Sequence, residues 1–331
     1  MKKIFALILA LCMVLALAAC GAPKTAEYKL GMGISLNMNS SKAGNAQVDA
    51  TVAAVVLDKD GKIVAAKIDV AQNKMDVTDG QVDTAKSFLS KKELKEDYGM
   101  SKIGAKEWYI QAEAFEQYVI GKTGAEVSGM ETVVNDSGHT VTTDEALYAN
   151  CSISISDFIE AVAKACSDEQ GKSFQSDGSF KLGLAVNSKA DESTAAGPDD
   201  NGVVKMYTEF GAVAVDNAGK ILAAVTDATQ PQITIDLTGE IVETKFGGTK
   251  RELKEGYNMV AYSNATLEWY EQAKNFTDFA AGKTAAELQG VETKINDEGH
   301  QVFVDEALYA SCSISIDGMI AVLVKAAGNA A

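Results

Sequence analysis

Residues 144–155 read DEALYANCSISI and residues 305–316 read DEALYASCSISI, a twelve-residue segment repeated with a single change. A chain that repeats itself at this spacing is one module written twice, and each half must build its own core from the same plan. Most of the surrounding sequence has drifted between the copies, so whatever holds this segment acts on both. A shared core and a shared site are the two reasons available.

The repeat places one module at 27–167 and a second at 179–328. Between them, residues 168–178 belong to the polar, Gly-containing stretch SDEQGKSFQSDG without apolar periodicity, and they are expected to form a linker. Each module opens with strand signals, Tyr28 to Met38 and Val52 to Leu57 in the first, Phe180 to Val186 and Gly211 to Val215 in the second. The turns Asp58-Lys59-Asp60-Gly61 and Asp216-Asn217-Ala218-Gly219 then lead into further strands, which predicts a hairpin in each module. A fourth strand is expected at Lys74 to Val77 and at Gln232 to Leu237.

The second half of each module turns helical. Trp108, Ala112, Phe115 and Val119 fall on one helical face, as do Trp269, Ala273, Phe276 and Ala280. Both helices stop at a Gly-Lys-Thr triplet, at Gly121 and Gly282, and Thr123 with Glu126 and Thr284 with Glu287 have capping-box spacing for a restart. The triplet lacks the upstream glycine of a phosphate loop. A final helix is expected from Ser156, as its N-cap, to Cys166, and from Asp317 to Ala327. Strands first and helices after predict an α+β fold, a small antiparallel sheet followed by helices in each of two tandem homologous modules.

At the N-terminus, Lys2 and Lys3 precede an apolar run, Ile4 to Leu17, that ends in Leu17-Ala18-Ala19-Cys20. This is the pattern of a lipoprotein signal peptide over residues 1–20 with a lipobox, and it predicts lipidation of Cys20. The run is shorter than the roughly 20 residues a spanning helix needs. The chain is therefore expected on the extracellular face of the cytoplasmic membrane, held by lipid alone. Its formal net charge of −16, made more negative by loss of Lys2 and Lys3, disfavours nucleic acid as a partner. Cys151, Cys166 and Cys312 remain for the folded part, an odd number that argues against a disulfide framework. Cys151 and Cys312, at the same position in the two copies, are expected as buried thiols.

A site common to both modules must appear in both. The surviving polar and aromatic pairs include Trp108 and Trp269, Tyr98 and Tyr257, His139 and His300, Asp144 and Asp305, and Ser152 and Ser313. One histidine per module cannot make a metal centre by itself, and His139 and His300 are expected in exposed turns. Ser152, His139 and Asp144, with their counterparts, contain the residue types of a hydrolase triad but no G-x-S-x-G elbow. The two tryptophans fit either a core or the edge of a pocket where a flat ring stacks on a planar ligand. Cys-Ser retained in both copies just before a helix is the strongest local pointer to a site, because the helix N-terminus favours an anionic group such as phosphate.

The segments KKELKEDYGM (91–100) with KEWYIQAEAFEQYVIGKT (106–123), and TKRELKEGYNM (249–259) with LEWYEQAKNFTDFAAGKT (267–284), resemble the flavinylated, PplA-like lipoproteins of Gram-positive extracellular electron transfer. In that family two tandem FMN-binding domains follow a lipidated cysteine, and a flavin transferase joins FMN to a threonine of each through a phosphoester. The resemblance implies FMN bound at Ser152 and Ser313, where serine stands in place of the acceptor threonine. It implies a neighbourhood of Cys151 and Cys312, Asp144 and Asp305, and Trp108 and Trp269. It further implies a flavin transferase, a membrane quinone oxidoreductase and external electron acceptors as partners. Alanine at 149 and 310 departs from the family's attachment motif, and Asp144 and Asp305 lie further upstream than that motif has them. Two other readings stand beside an electron relay: a lipid-anchored binding protein that has lost flavin, and a Ser-His-Asp hydrolase.

Overall fold

The structure is a computed structural model that describes residues 25–331; the expected signal peptide and the expected lipidation site, Cys20, lie outside them. In the first module β1 (Ala26–Asn37), β2 (Asn45–Leu57) and β3 (Ile63–Asp76) form an antiparallel meander. Its second hairpin turns at Asp58 to Gly61, as expected, with Gly61 at φ 73° supplying the left-handed residue. The residues expected to start a fourth strand, from Lys74 onward, instead continue β3 to Asp76. They stay paired because β2 reaches as far, its Asn45 opposite Asp76.

The helix Trp108–Val119 lays Trp108, Ala112, Phe115 and Val119 on the sheet. Thr123 and Glu126 exchange the two hydrogen bonds of a capping box and start a short helix. β4 (Thr132–Val134) and β5 (Thr140–Thr142) flank the histidine turn. The last helix, Ser156–Cys166, begins one position earlier than a capping Ser156 would allow: Ile155 holds the cap position and no side chain caps it.

The expected linker is partly a strand. β6 (Lys172–Ser176) pairs antiparallel with β1, from Ala26 opposite Ser176 to Leu30 opposite Lys172. Without β6 the outer edge of β1 would leave its backbone groups unpaired there. Phe174 points inward, its ring 5.8 Å from Tyr28 and 5.3 Å from Phe180.

The second module repeats the plan with a break. β7 (Phe180–Lys189), β8 (Gly202–Lys205), β9 (Tyr207–Asp216), β10 (Ile221–Thr229), β11 (Gln232–Ile235) and β12 (Ile241–Lys245) split into the sheets β10-β9-β7 and β12-β11-β8. Between β10 and β11 lies Pro231, which has no N–H for a ladder, so the strand that runs unbroken in the first module is divided here. The helix Trp269–Ala280, a capping box at Thr284 and Glu287, the hairpin β13 (Thr293–Ile295) and β14 (Gln301–Phe303), and the helix Asp317–Gly328 complete it.

The fold is α+β, and its layers run helix, sheet, sheet, helix. Each module packs helices on one sheet face. The opposite faces meet, Leu30, Ile34 and Val56 lying in one cluster with Leu184, Phe210 and Val225. Burial on both faces explains why VAAVVL and GAVAV are continuously apolar and do not alternate. Among the described residues no helix is long and apolar enough to cross a membrane.

Candidate functional site

The repeated segments fold alike around a glutamine. In the first module the Gln111 side-chain oxygen accepts from Ser152 N at 2.8 Å and from Ser152 Oγ at 3.2 Å. In the second, Gln272 accepts from Ser313 N at 2.7 Å and Oγ at 3.2 Å. The amide nitrogen of each donates to a backbone carbonyl, Lys106 O or Leu267 O. Both glutamines are buried, so an amide fully engaged at both ends fixes the serine loop onto the tryptophan helix. Ser152 is exposed and Ser313 half-buried.

Beside this loop in the second module lies a cleft of about 760 Å³ whose lining includes Ser313, Trp269, Tyr257, Tyr207, Glu209 and Lys250. Lys250 dominates it. Its ammonium sits 4.9 Å, 4.8 Å and 5.2 Å from the ring centroids of Tyr207, Tyr257 and Trp269, and only 7% of the residue is exposed. Among the described residues the nitrogen has no hydrogen-bond or ion-pair partner; the rings hold it by cation–π attraction. Burial lowers its pKa to about 8 despite the nearby Glu209 and Asp227. Lys91, half-buried, repeats part of the arrangement in the first module, 4.8 Å from Tyr98 and 5.4 Å from Trp108 and with no third ring among the described residues.

The lysine turns are anchored from beneath. Asp69 and Asp227 are buried and accept from Lys92 N and Arg251 N, each at 3.1 Å. Burial raises both carboxyl pKa values, that of Asp227 to about 6. Lys95 and Lys254, which end these turns, have φ of 45° and 48°, a strained conformation kept at the same position in both modules.

The residues expected at the site divide. Ser152 and Ser313 are accessible, and Trp269 forms the cleft wall while also packing in the core, as Trp108 does. Cys151 and Cys312 are buried in the module cores, where burial pushes their thiols up to about 12; this answers to the expected buried thiols. Asp144 is committed elsewhere: Oδ1 accepts from Leu147 N, Oδ2 from Tyr118 Oη, and these bonds hold its pKa down. Asp305 likewise caps a short helix, accepting from Ala307 N and Leu308 N. His139 and His300 sit in exposed turns, as expected. The hydroxyl that a triad histidine would activate is bonded to glutamine, and the carboxylate beside His300 is Glu298 at 3.7 Å. The final helix already carries Asp157 or Asp317 in its first turn, so positive charge for an anion comes from Lys91 and Lys250 and not from that helix end alone. Neither lysine stands out in a chain rich in lysine; the signal was their recurrence, with Gln111 and Gln272, in the paired segments.

The chain is similar to a protein named chlorophenol reductase from Desulfitobacterium hafniense, 33% identical over 125 residues that cover 32% of this chain and 38% of that protein. The chain thus spans well under half the length of the relative it matches. No protein-family model and no solved structure matches it.

Proposed function

We propose that the chain is a redox carrier holding one FMN-class cofactor in each module, tethered outside the cytoplasmic membrane through Cys20. The observation that carries this reading is a buried lysine in the second module, caged by aromatic rings and without a protein hydrogen-bond or ion-pair partner among the described residues, that lines one cleft with the half-buried Ser313. A planar anionic group answers to all of these features: rings to lie against, a cation to meet its charge, and a hydroxyl for a phosphoester. The similarity to a reductase is in keeping with a redox role.

In the second module Ser313 would carry the phosphoester, Gln272 would hold that loop in place, and Lys250 with Trp269, Tyr207 and Tyr257 would receive the flat part of the group. In the first module Ser152, Gln111, Lys91, Tyr98 and Trp108 take these roles, and Lys106, which donates to Ala149 O and Asn150 Oδ1 at 2.9 Å, adds a positive charge near the attachment loop. Bound FMN would supply one- and two-electron chemistry, and the protein would set its potential through the charge around it. A flavin transferase would load it, a membrane quinone oxidoreductase would reduce it, and external acceptors would oxidise it.

Intact-mass measurement on protein made with the flavin transferase of its own host tests this. The expected result is a gain of FMN less one water at each serine, with Ser152→Ala and Ser313→Ala each removing one increment. A colourless protein of unmodified mass that takes up no added FMN would overturn it. Ester hydrolysis abolished by the same substitutions would favour the hydrolase instead.

A further inference from the structure

The requirement that a shared site use the same residue in both modules hides one group. Thr51 on β2 and Glu209 on β9 occupy the same place in the sheet: Thr51 lies opposite Ser35 and Val70, Glu209 opposite Asn187 and Ala228. On the final helices the second residue is Asp157 in one module and Gly318 in the other. The carboxylate has changed element. Where the strand carries threonine the helix carries aspartate; where the strand carries glutamate the helix carries glycine. A Cβ on Gly318 would overlap the Glu209 carboxylate, so the strand residue fills the space that a helix side chain at that position would take.

Glu209 lies in the cleft of the caged Lys250, its Oε1 3.5 Å from Tyr207 Oη. Burial is the largest influence on it, raising its pKa to about 7, with Asp317 on the final helix, Lys250 at the start of the short helix 250–253 and Lys189 on β7 also acting on it. Lys189 is itself paired with Asp191 at 3.0 Å. Asp157 accepts from Asn37 Nδ2 at 3.3 Å; burial, Glu160 and Asp49 raise its pKa against Lys91.

We infer that the second module keeps a proton-accepting carboxylate, Glu209, in the cleft of Lys250, its place taken from the helix by Asp157 in the first module, and that an electron entering this cleft is matched by a proton taken from solvent onto Glu209. This rests on the second module's cleft being a redox-cofactor site. One electron passes from a one-electron donor to the bound group, one O–H bond of a solvent hydronium ion breaks as one forms on Glu209, leaving water, and the proton returns to solvent when an external acceptor takes the electron away. The added negative charge raises proton affinity at the nearest ionised carboxylate, which is the physical link between the two events.

Three measurements test it. In cofactor-free protein, carbon NMR of labelled glutamate carboxyls should show a signal, lost in Glu209→Gln, that titrates near neutrality; a midpoint in the ordinary carboxylate range overturns the inference. In loaded protein at pH 8, infrared difference spectra on dithionite reduction should show a protonated-carboxyl band absent from Glu209→Gln. Cofactor reduction without that band overturns it. Glu209→Thr should lower the pH at which Lys250 loses its proton by about one unit, and Glu209→Thr with Gly318→Asp should restore it by returning the carboxylate to the helix. No recovery in a double variant that folds, judged by circular dichroism, overturns the exchange. If no flavin loads at all, the proposed function fails while the two cofactor-free titrations still decide whether the carboxylate changed element.

Discussion

At the scale of the residue, the second module maintains a tension between stability and binding. An ammonium largely withdrawn from water, with no protein hydrogen-bonding partner among the described residues, destabilises the fold, and the surrounding rings offset only part of that. Lys250→Met keeps an unbranched apolar stem, one atom shorter, and removes the charge, and is expected to stabilise the cofactor-free protein by about 1–2 kcal/mol at pH 7. The sign with pH follows from the lowered pKa: the folded state releases the proton at about pH 8, before the unfolded chain does. The destabilisation is therefore complete below pH 8 and fades as pH rises toward the unfolded value. The gain from Lys250→Met should shrink accordingly in thermal melts across that range, while FMN uptake by the second module falls. A gain independent of pH would mean that the lysine is not charged in its cage.

At the scale of the element, each final helix lies directly on a strand because glycine lets it. Gly31 on β1 faces the carbonyl of Ala165, and Gly183 on β7 that of Ala326; a Cβ at either position would overlap that oxygen. Gly183→Ala should destabilise by about 2–3 kcal/mol through overpacking, measured by urea denaturation, and should displace the helix that carries Gly318 away from Glu209. The equivalent change at Gly31 should act on Asp157. Stability unchanged by both substitutions would show that the helices have room to shift. The strand–helix order, the hairpin turns and the capping boxes at Thr123 and Thr284 were legible in the sequence because local spacing determines them. β6 was not, since its five residues become a strand only by pairing with the edge of β1.

At the scale of the molecule, the modules are joined reciprocally. Lys164 on the first module's final helix pairs with Glu252 of the second at 3.1 Å, and Lys325 on the second's pairs with Glu93 of the first at 2.7 Å. Arg251 binds both oxygens of Asp168 at 3.0 Å and 3.1 Å, with both side chains 8% exposed. Removing one partner of a buried pair leaves the other charge uncompensated, so Arg251→Ala should cost about 3–5 kcal/mol. Because the sheets share one core, calorimetry should record a single transition that moves as a whole. Two transitions, of which one stays in place, would mean the modules fold separately.

The sequence by itself determined the duplication, the α+β order of each module, the buried cysteines and the serine loop, because repeats, periodicity and capping signals act over short stretches of chain. Only the tertiary structure decided that the two sheets close against each other, that the 168–178 stretch contributes a strand, and that Lys250 is caged beside Glu209. Those depend on residues far apart in the chain, where no local pattern reaches. The exchange of a carboxylate between strand and helix is the plainest case: compared position by position, Thr51 and Glu209 look like drift, and only their shared place against Asp157 and Gly318 shows what has been kept.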